Sequence, residues 1–228
     1  MRVLRRARSL VMDLAGQRKA YGFKWYVKGA DVSWALQGHE AYLDYEILHQ
    51  GQHFIDVGAH IGRWSIPASS FFKRVTSIEP MPLTNRLLRT NVALNHIRNI
   101  HVIQKAASSR HGPADFWNYD DQDTRSLGAN SLFQYHCGLA AKSKLQVELM
   151  TLDDLPDADQ VKIDVEDAEV DVLRGAERQL SNRPKLIIEL HSLKNHEPVR
   201  LILGRAGYEK IQRFPMPGPE WLVTLVAE

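Results

Sequence analysis

Cysteine is almost absent from this chain. Among 228 residues only Cys137 carries a thiol, so no internal disulfide can staple the fold and stability must come from a packed core. A single thiol also favours a reducing compartment, and a cytoplasmic location is expected. Long apolar runs are missing as well. No stretch of about 18 uncharged apolar residues occurs, so no membrane-spanning helix is expected. Net charge is only +2, too small a balance for a general nucleic-acid binder. No repeat recurs and no linker divides the chain. What is present is 44% hydrophobic residues, enough for the core of one α/β domain with a short extension.

The small net charge hides an uneven distribution. Residues 1–28 hold Arg2, Arg5, Arg6, Arg8, Arg18, Lys19, Lys24 and Lys28 against the single acid Asp13. Val3, Leu4, Ala7, Leu10, Val11 and Leu14 recur at helical spacing, giving an apolar stripe beside a basic face. A helix docked on the core or on a dimer partner is the simplest reading, and a helix lying on an anionic membrane surface is the other. A secretory signal is not expected, because charges interrupt the apolar positions and no long apolar core is present. The expected organisation is therefore a basic helical extension and cap over 1–50, followed by the main domain over 51–228.

Within the main domain, strands alternate with helices. Strands are expected at 53–57, Arg74–Glu79, Ile100–Ala107, Leu145–Thr151, Val161–Val165 and Lys185–Leu190. Helices are expected at Glu40–Leu48, Ser65–Phe72, Leu83–Asn95, Ala168–Leu180 and Pro198–Ala206. Tyr21–Val32 alternates aromatic and polar residues as a hairpin would. Tyr208–Gln212 and Trp221–Val226, joined by a stiff proline-rich turn at 215–219, form a closing antiparallel pair. This rhythm predicts a Rossmann-like α/β sandwich around a seven-stranded, mostly parallel sheet covered on both faces. Residues 108–144 break the rhythm. They are rich in Ser, Asp, Gly and Asn, carry one short strand at Ala114–Tyr119, and read as a lid or binding loop.

The most informative stretch runs from His53 to Glu79. A buried strand (Phe54, Ile55, Val57) leads into Asp56-Val57-Gly58-Ala59-His60-Ile61-Gly62, then a helix, then a second strand that ends on Glu79 and stops at Pro80. Gly58 can take φ > 0, and bare backbone at Gly58 and Gly62 lets a ligand approach closely. The dinucleotide fingerprint G-x-G-x-x-G seats a pyrophosphate on a helix N-terminus. Here only G-x-x-x-G is present, preceded by an acid, which suits an adenosine ligand without phosphates. An acid ending the second strand is where such folds hold ribose hydroxyls. S-adenosylmethionine (SAM) meets these conditions, with its ribose on Glu79 and its ammonium near Asp56.

A second stretch, Val161-Lys162-Ile163-Asp164-Val165-Glu166-Asp167-Ala168-Glu169, places Asp164 and Glu166 on one face of a strand end. Ligands of open α/β sheets collect there. Glu169 and Asp171 are expected to do no more than favour a helix N-terminus. The next strand ends Glu189-Leu190-His191, which would set His191 beside Asp164, and a histidine is well placed to accept a proton near neutral pH. His60, His136 and His196 have weaker claims to that role.

The strings DVGAHIG, SIEP, VKIDVEDAEVDVLRGAE and KLIIELH, in that order over Phe54–His191, resemble the FkbM-like family of SAM-dependent methyltransferases. GANSL at Gly128–Leu132 resembles the family's Ser/Asn-rich loop. The resemblance implies a class I methyltransferase fold, with cofactor contacts at Asp56, Gly58, Ala59, His60, Gly62, Glu79, Pro80 and Ala106. It also implies catalytic groups at His191, Glu166 and Asp164, near the transferred methyl, and O-methylation of a hydroxyl on a small natural product or sugar. The chain departs from the family pattern twice, with His60 for the usual asparagine and Asp167 for the usual glycine after Asp-Val-Glu. Two alternatives stay open. One is a divalent-metal O-methyltransferase using Asp164, Glu166, Asp167 and Glu189 as oxygen ligands. The other is a catalytically silent SAM-binding or interaction module. A dehydrogenase is disfavoured by the missing third glycine. No metal is expected.

Overall fold

The computed structural model describes residues 11–12, 17–20, 22–26, 47–118, 130–133, 135–136, 139–140, 143–216 and 223–228. In order come β1 (Val11–Met12), β2 (Gln17–Ala20), β3 (Phe23–Tyr26), β4 (Gly51–Val57), α1 (Ser65–Ala68), β5 (Phe72–Ile78), α2 (Pro82–Leu94), β6 (Ile100–Ile103) and β7 (Ala106–Ala107). Next are β8 (Gly112–Asn118), β9 (Asn130–Ser131), β10 (Tyr135–His136), β11 (Leu139–Ala140), β12 (Ser143–Met150) and β13 (Gln160–Ile163). The chain closes with α3 (Glu169–Arg174), α4 (Glu177–Ser181), β14 (Lys185–Leu190), α5 (Leu193–Arg205), β15 (Ile211–Pro215) and β16 (Val223–Ala227).

The central sheet has seven strands in the order β15-β16-β14-β13-β4-β5-β6. Strands β14, β13, β4, β5 and β6 run parallel. Only β16 runs against its neighbours, antiparallel to both β14 and β15. This is the sheet expected from the alternating strands and helices. Strand residues alternate faces, and both faces are buried here. Phe54 packs with Trp64, Phe72 and Ile187 on one side. Ile55 and Val57 pack with Val172, Leu173 and Ile188 on the other. Strand order reverses between β4 and β13, and at such switch points α/β sheets open a crevice beyond the carboxyl ends of their strands. Among the described residues no helix is long and apolar enough to cross a membrane.

Several local expectations need correction. The basic N-terminal helix falls largely on residues 1–10, outside the described residues, and at its far end Val11–Met12 is a strand paired with β2. The helix at Glu40–Leu48 and the turn at 215–219 also lie mainly outside them. The hairpin expected at Tyr21–Val32 forms slightly earlier, as β2 and β3 around Gly22 at φ +83°. It is pinned to the core by Trp25, fully buried with Ile61, Ile66 and Leu87. Two asparagines of α2 clasp it: Tyr26 N–H donates to Asn91 Oδ1 (2.6 Å) and Lys24 N–H to Asn95 Oδ1 (2.8 Å).

Within the expected lid at 108–144, β8, which covers most of the short strand expected at Ala114–Tyr119, and β9 belong to a second sheet, while β10 and β11 pair with each other in a separate two-stranded sheet. β12 pairs antiparallel with β8 and parallel with β7, giving the order β7-β12-β8-β9. The reason is period-2 patterning: β12 buries Val147 and Leu149 and exposes Lys144, Gln146 and Glu148. The strand expected over Ile100–Ala107 is accordingly divided between the two sheets. The helix expected over Ala168–Leu180 breaks after Arg174. Gly175 passes so close to the second sheet that a Cβ there would lie 2.0 Å from the Ser108 carbonyl oxygen. Helix α1 stops at Ala68, because Phe72 joins β5 and packs on Phe54. Helix α5 starts before Pro198, at Leu193, because Asn195 anchors its first turn to Asp167 and Glu169.

Candidate active site

The turn after β4 lies at the switch point. Gly58 takes φ +76°, and its N–H and that of Ala59 both donate to the Ile78 carbonyl at 3.0 Å. A Cβ on Gly58 would lie 1.7 Å from the Asp164 carbonyl oxygen, and one on Gly62 (φ +95°) would lie 2.6 Å from Leu88 Cδ1. Gly58 is therefore required by packing against the backbone of Asp164, and Gly62 by its left-handed conformation. The Cβ side of Gly58 faces the end of β13 and that of Gly62 faces α2, so a ligand can approach this backbone only from the other side. The turn is welded to the end of β13.

Glu79 organises the far side of the turn. Its Oε2 accepts from His60 N–H (2.8 Å), and its Oε1 accepts from Met81 N–H (2.9 Å) and Thr84 Oγ1 (2.8 Å). A carboxylate has about four lone-pair sites, so capacity for a ligand hydroxyl remains. Burial pushes the Glu79 carboxyl above its usual range despite these donors. Asp56 is fully buried in a polar row, level with Ser77 on one side and Lys162 on the other. Its Oδ2 accepts from Ser65 Oγ, while Oδ1 finds no hydrogen-bond partner among the described residues. Burial raises the Asp56 carboxyl too, against the pull of Lys162 and Ser65. An orphaned buried carboxylate oxygen is costly, and a bound ammonium, directly or through water, would satisfy it. The residues thus fit SAM. Ala59 is buried against Leu88 and Val102, and Pro80 is half-buried beyond Glu79. Ala106 lies in β7, in a cluster against which Met81 packs.

The second half of the site gathers at the ends of β13 and β14. His191 Nε2 lies 3.5 Å from Asp164 Oδ1 and 3.6 Å from Glu166 Oε2, while its Nδ1 lies 3.0 Å from Glu169 Oε1. The three residues expected to cluster do so. Burial disfavours the imidazolium, but Glu166, Glu169 and Asp164 outweigh it and hold His191 well above its ordinary value. Asp164 is also opposed by burial, yet Lys162 and His191 keep its carboxyl below the usual range. A histidine that already carries its proton cannot accept another, which argues against His191 as the first-choice base.

The FkbM methyltransferase domain model matches residues 56–210, more than half of the sequence. The chain belongs to the FkbM methyltransferase family. Among solved structures, this FkbM domain is similar to a methyltransferase FkbM from Methylobacillus flagellatus KT, with 21% identity and a TM-score of 0.57. That likeness covers 82% of this chain but only 46% of the longer one. A precorrin-6y C5,15-methyltransferase from Geobacter metallireducens GS-15 aligns over 85% of this chain and 88% of its own, at 16% identity and a TM-score of 0.52. M. jannaschii TYW2, solved in complex with AdoMet, aligns over 96% and 88% at 15% identity and a TM-score of 0.51. At such identities these likenesses speak for the fold. No curated protein matches the sequence.

Both departures of this FkbM domain from its family pattern fall on left-handed backbone. His60 sits at φ +51°, Glu166 at +50° and Asp167 at +81°. The family's glycine after Asp-Val-Glu is what such a conformation favours, and a non-glycine residue there costs about 1–2 kcal/mol. The turn is held from several sides. Ser131 Oγ donates to the Glu166 carbonyl (2.5 Å), Asn195 Nδ2 donates to the Asp167 carbonyl (2.9 Å), and the Asp167 N–H donates to Glu169 Oε1 (3.1 Å). The Asp167 carboxylate lies 3.5 Å from Lys194 Nζ.

Sequence reasoning missed four contributors. Glu169 was expected only to favour a helix start, yet it is fully buried and accepts from His191, Asn195 and Asp167. Lys162, a buried charge whose Nζ donates to Asp164 Oδ2 at 2.8 Å, was readable as a lysine between Val161 and Ile163. Ser131 lies within the GANSL string that marked the family, but its partner was hidden. Asn195 had no local signal. Asp171, as expected, is a surface acid paired with Arg174.

Proposed function

We propose that this domain transfers the methyl group of SAM to a hydroxyl oxygen of a small acceptor, a natural product or sugar. The observation that carries the reading is the contact between Gly58 and the Asp164 carbonyl. It holds the glycine turn, which on this reading takes the adenosine, against the Asp164, Glu166 and His191 cluster across the switch point. Further support comes from the AdoMet-bound TYW2 relative, which shares the fold. When bound, SAM supplies an electrophilic methyl on a sulfonium. The protein's own residues supply position. Glu79, already oriented by His60 and Met81, holds ribose hydroxyls, and Asp56 receives the ammonium. His191, carrying its proton, donates to the acceptor oxygen and orients it. Asp164 is tied to Lys162, so the acceptor's proton passes to Glu166. Transfer would form the oxygen–carbon bond as the carbon–sulfur bond breaks, leaving its electron pair on sulfur. Holding the two groups in line supplies on the order of 7–11 kcal/mol in the best cases.

The test combines calorimetry with S-adenosylhomocysteine and labelled-methyl transfer to a panel of monosaccharides and hydroxylated small molecules. Saturable binding and a methylated oxygen are expected. Glu166→Gln should lower kcat about 100-fold or more while leaving S-adenosylhomocysteine affinity within a factor of two or so. Binding without transfer to any acceptor would instead identify a silent SAM-binding module, and no binding at all would overturn the reading.

A further inference from the structure

We propose that Asp164, Glu166 and His191 form a site for one divalent cation of the class that accepts mixed oxygen and imidazole ligands, Mn²⁺ foremost. One ligand atom from each lies within 4.8 Å of the others. The separations of 3.5 and 3.6 Å from His191 Nε2 to Asp164 Oδ1 and Glu166 Oε2 are too long for good hydrogen bonds. They approach the spacing of two ligands on one ion, because bonds of about 2.1 Å set neighbouring ligand atoms about 3.0–3.4 Å apart. Glu166 reaches this position from left-handed backbone, and strain of that kind collects at ligand clamps.

The histidine ring provides an independent argument. Its Nδ1 faces Glu169 Oε1 at 3.0 Å, and Glu169 Oε2 is held by Asn195 Nδ2 at 2.6 Å. That carboxylate is fully buried and fixes the ring, so Nε2 is the atom aimed at Asp164 and Glu166. Histidines that bind metals are oriented in this way by a carboxylate on the opposite ring nitrogen. Charge agrees. Asp164, Glu166 and Glu169 all face the ring, and this local concentration of carboxylates suits a dication. Lys162 occupies Asp164 Oδ2 and leaves Oδ1 to the ion. The side chains of Asp164 and Glu166 are 24% and 21% exposed, so the cation keeps open positions for water or an acceptor oxygen. The imidazole favours Mn²⁺ over Mg²⁺, which prefers oxygen ligands throughout.

This differs from the all-oxygen set Asp164, Glu166, Asp167 and Glu189. Asp167 lies toward Lys194, and neither it nor Glu189 belongs to the group. The role of the ion rests on the proposed function and replaces one contact in it. Bound at Nε2, the ion takes the place of the His191 proton, so the cation and not the imidazolium would hold the acceptor oxygen and ease loss of its proton, which Glu166's second oxygen would receive. Binding itself needs no methyl transfer.

The experiment titrates Mn²⁺ into the EDTA-treated full chain, read by the electron-paramagnetic-resonance signal of free Mn²⁺, with S-adenosylhomocysteine binding measured separately without metal. One equivalent is expected to bind. Glu166→Gln and His191→Ala should each lose it, Glu169→Gln should weaken it about 10–100-fold, and Asp171→Asn should bind as wild type. Circular dichroism identifies the folded variants to be compared. No stoichiometric binding by wild type, or binding unchanged in both Glu166→Gln and His191→Ala, would overturn the site. If S-adenosylhomocysteine binds while Mn²⁺ does not, the cation fails and the methyltransferase reading stands; the reverse result sinks the reading and keeps the site.

Discussion

The two halves of the site solve the same backbone problem in opposite ways. After β4 the left-handed positions include Gly58 and Gly62, and the space they leave is filled by the Asp164 carbonyl and Leu88. After β13 they fall on Glu166 and Asp167, which keep full side chains and depend on Ser131, Asn195 and Glu169 to hold the turn. The first half is close-packed and carries one strained residue, His60 at φ +51°, with Glu79 accepting from three protein donors. The second concentrates strain and charge around one histidine. Strain and unbalanced charge persist where surrounding structure over-determines them, and that is the half where chemistry is expected.

The contrast can be broken most severely at Gly58. Gly58→Ala should cost more than about 3 kcal/mol or abolish folding, because its Cβ would lie 1.7 Å from a backbone oxygen. Denaturant melts measure this, and a loss under about 1 kcal/mol would show that the two strand ends can move apart. Next in size is Glu79→Gln, which replaces a charged acceptor and should weaken S-adenosylhomocysteine about 10–100-fold by calorimetry. Unchanged affinity would remove the ribose from that side chain.

Smaller effects are expected in the second half. Asp167→Gly should be about 1 kcal/mol more stable than Asp167→Ala, since alanine keeps the left-handed penalty and glycine does not. Equal melting temperatures would mean the turn is not strained. The smallest effect is on the pH dependence of metal-free protein. His191 is raised in the folded state, so the native protein binds the extra proton. Its contribution is fully present below about pH 6.5 and is lost as pH rises through the folded value. Asp164 is lowered, so its contribution is present above about pH 3.9 and is lost as pH falls through its folded value. His191→Gln should therefore flatten the decline in melting temperature as pH rises above about 6.5, and parallel curves for variant and wild type would remove this account.

Local pattern was enough for some elements and not for others. Lys185–Leu190, with Leu186, Ile187, Ile188 and Leu190, is a strongly apolar stretch bounded by proline and histidine, and the observed strand β14 has those bounds. The pairing of Asp164 with His191 followed from two strand ends that the alternating pattern makes neighbours. The helix over 168–180 failed because Gly175 breaks it through contact with Ser108, more than sixty positions away in the chain. Within residues 108–144 the strand at Ala114–Tyr119 was legible from its pattern as β8, whereas β9, β10 and β11 are two-residue strands that exist through pairing and leave no periodicity to read.

By itself the sequence determined a mostly parallel sheet with a closing antiparallel strand and the acids Glu79 and Asp164 at two strand ends, because periodicity and spacing are local properties of the chain, and its motif strings carried the resemblance to the family. Tertiary structure alone decided what the glycines serve, that Glu169 is an inner partner of His191 and not a surface helix-starter, and that Lys162 and Asn195 belong to the site. These depend on which groups lose water together. Burial and charge are set by neighbours distant in sequence.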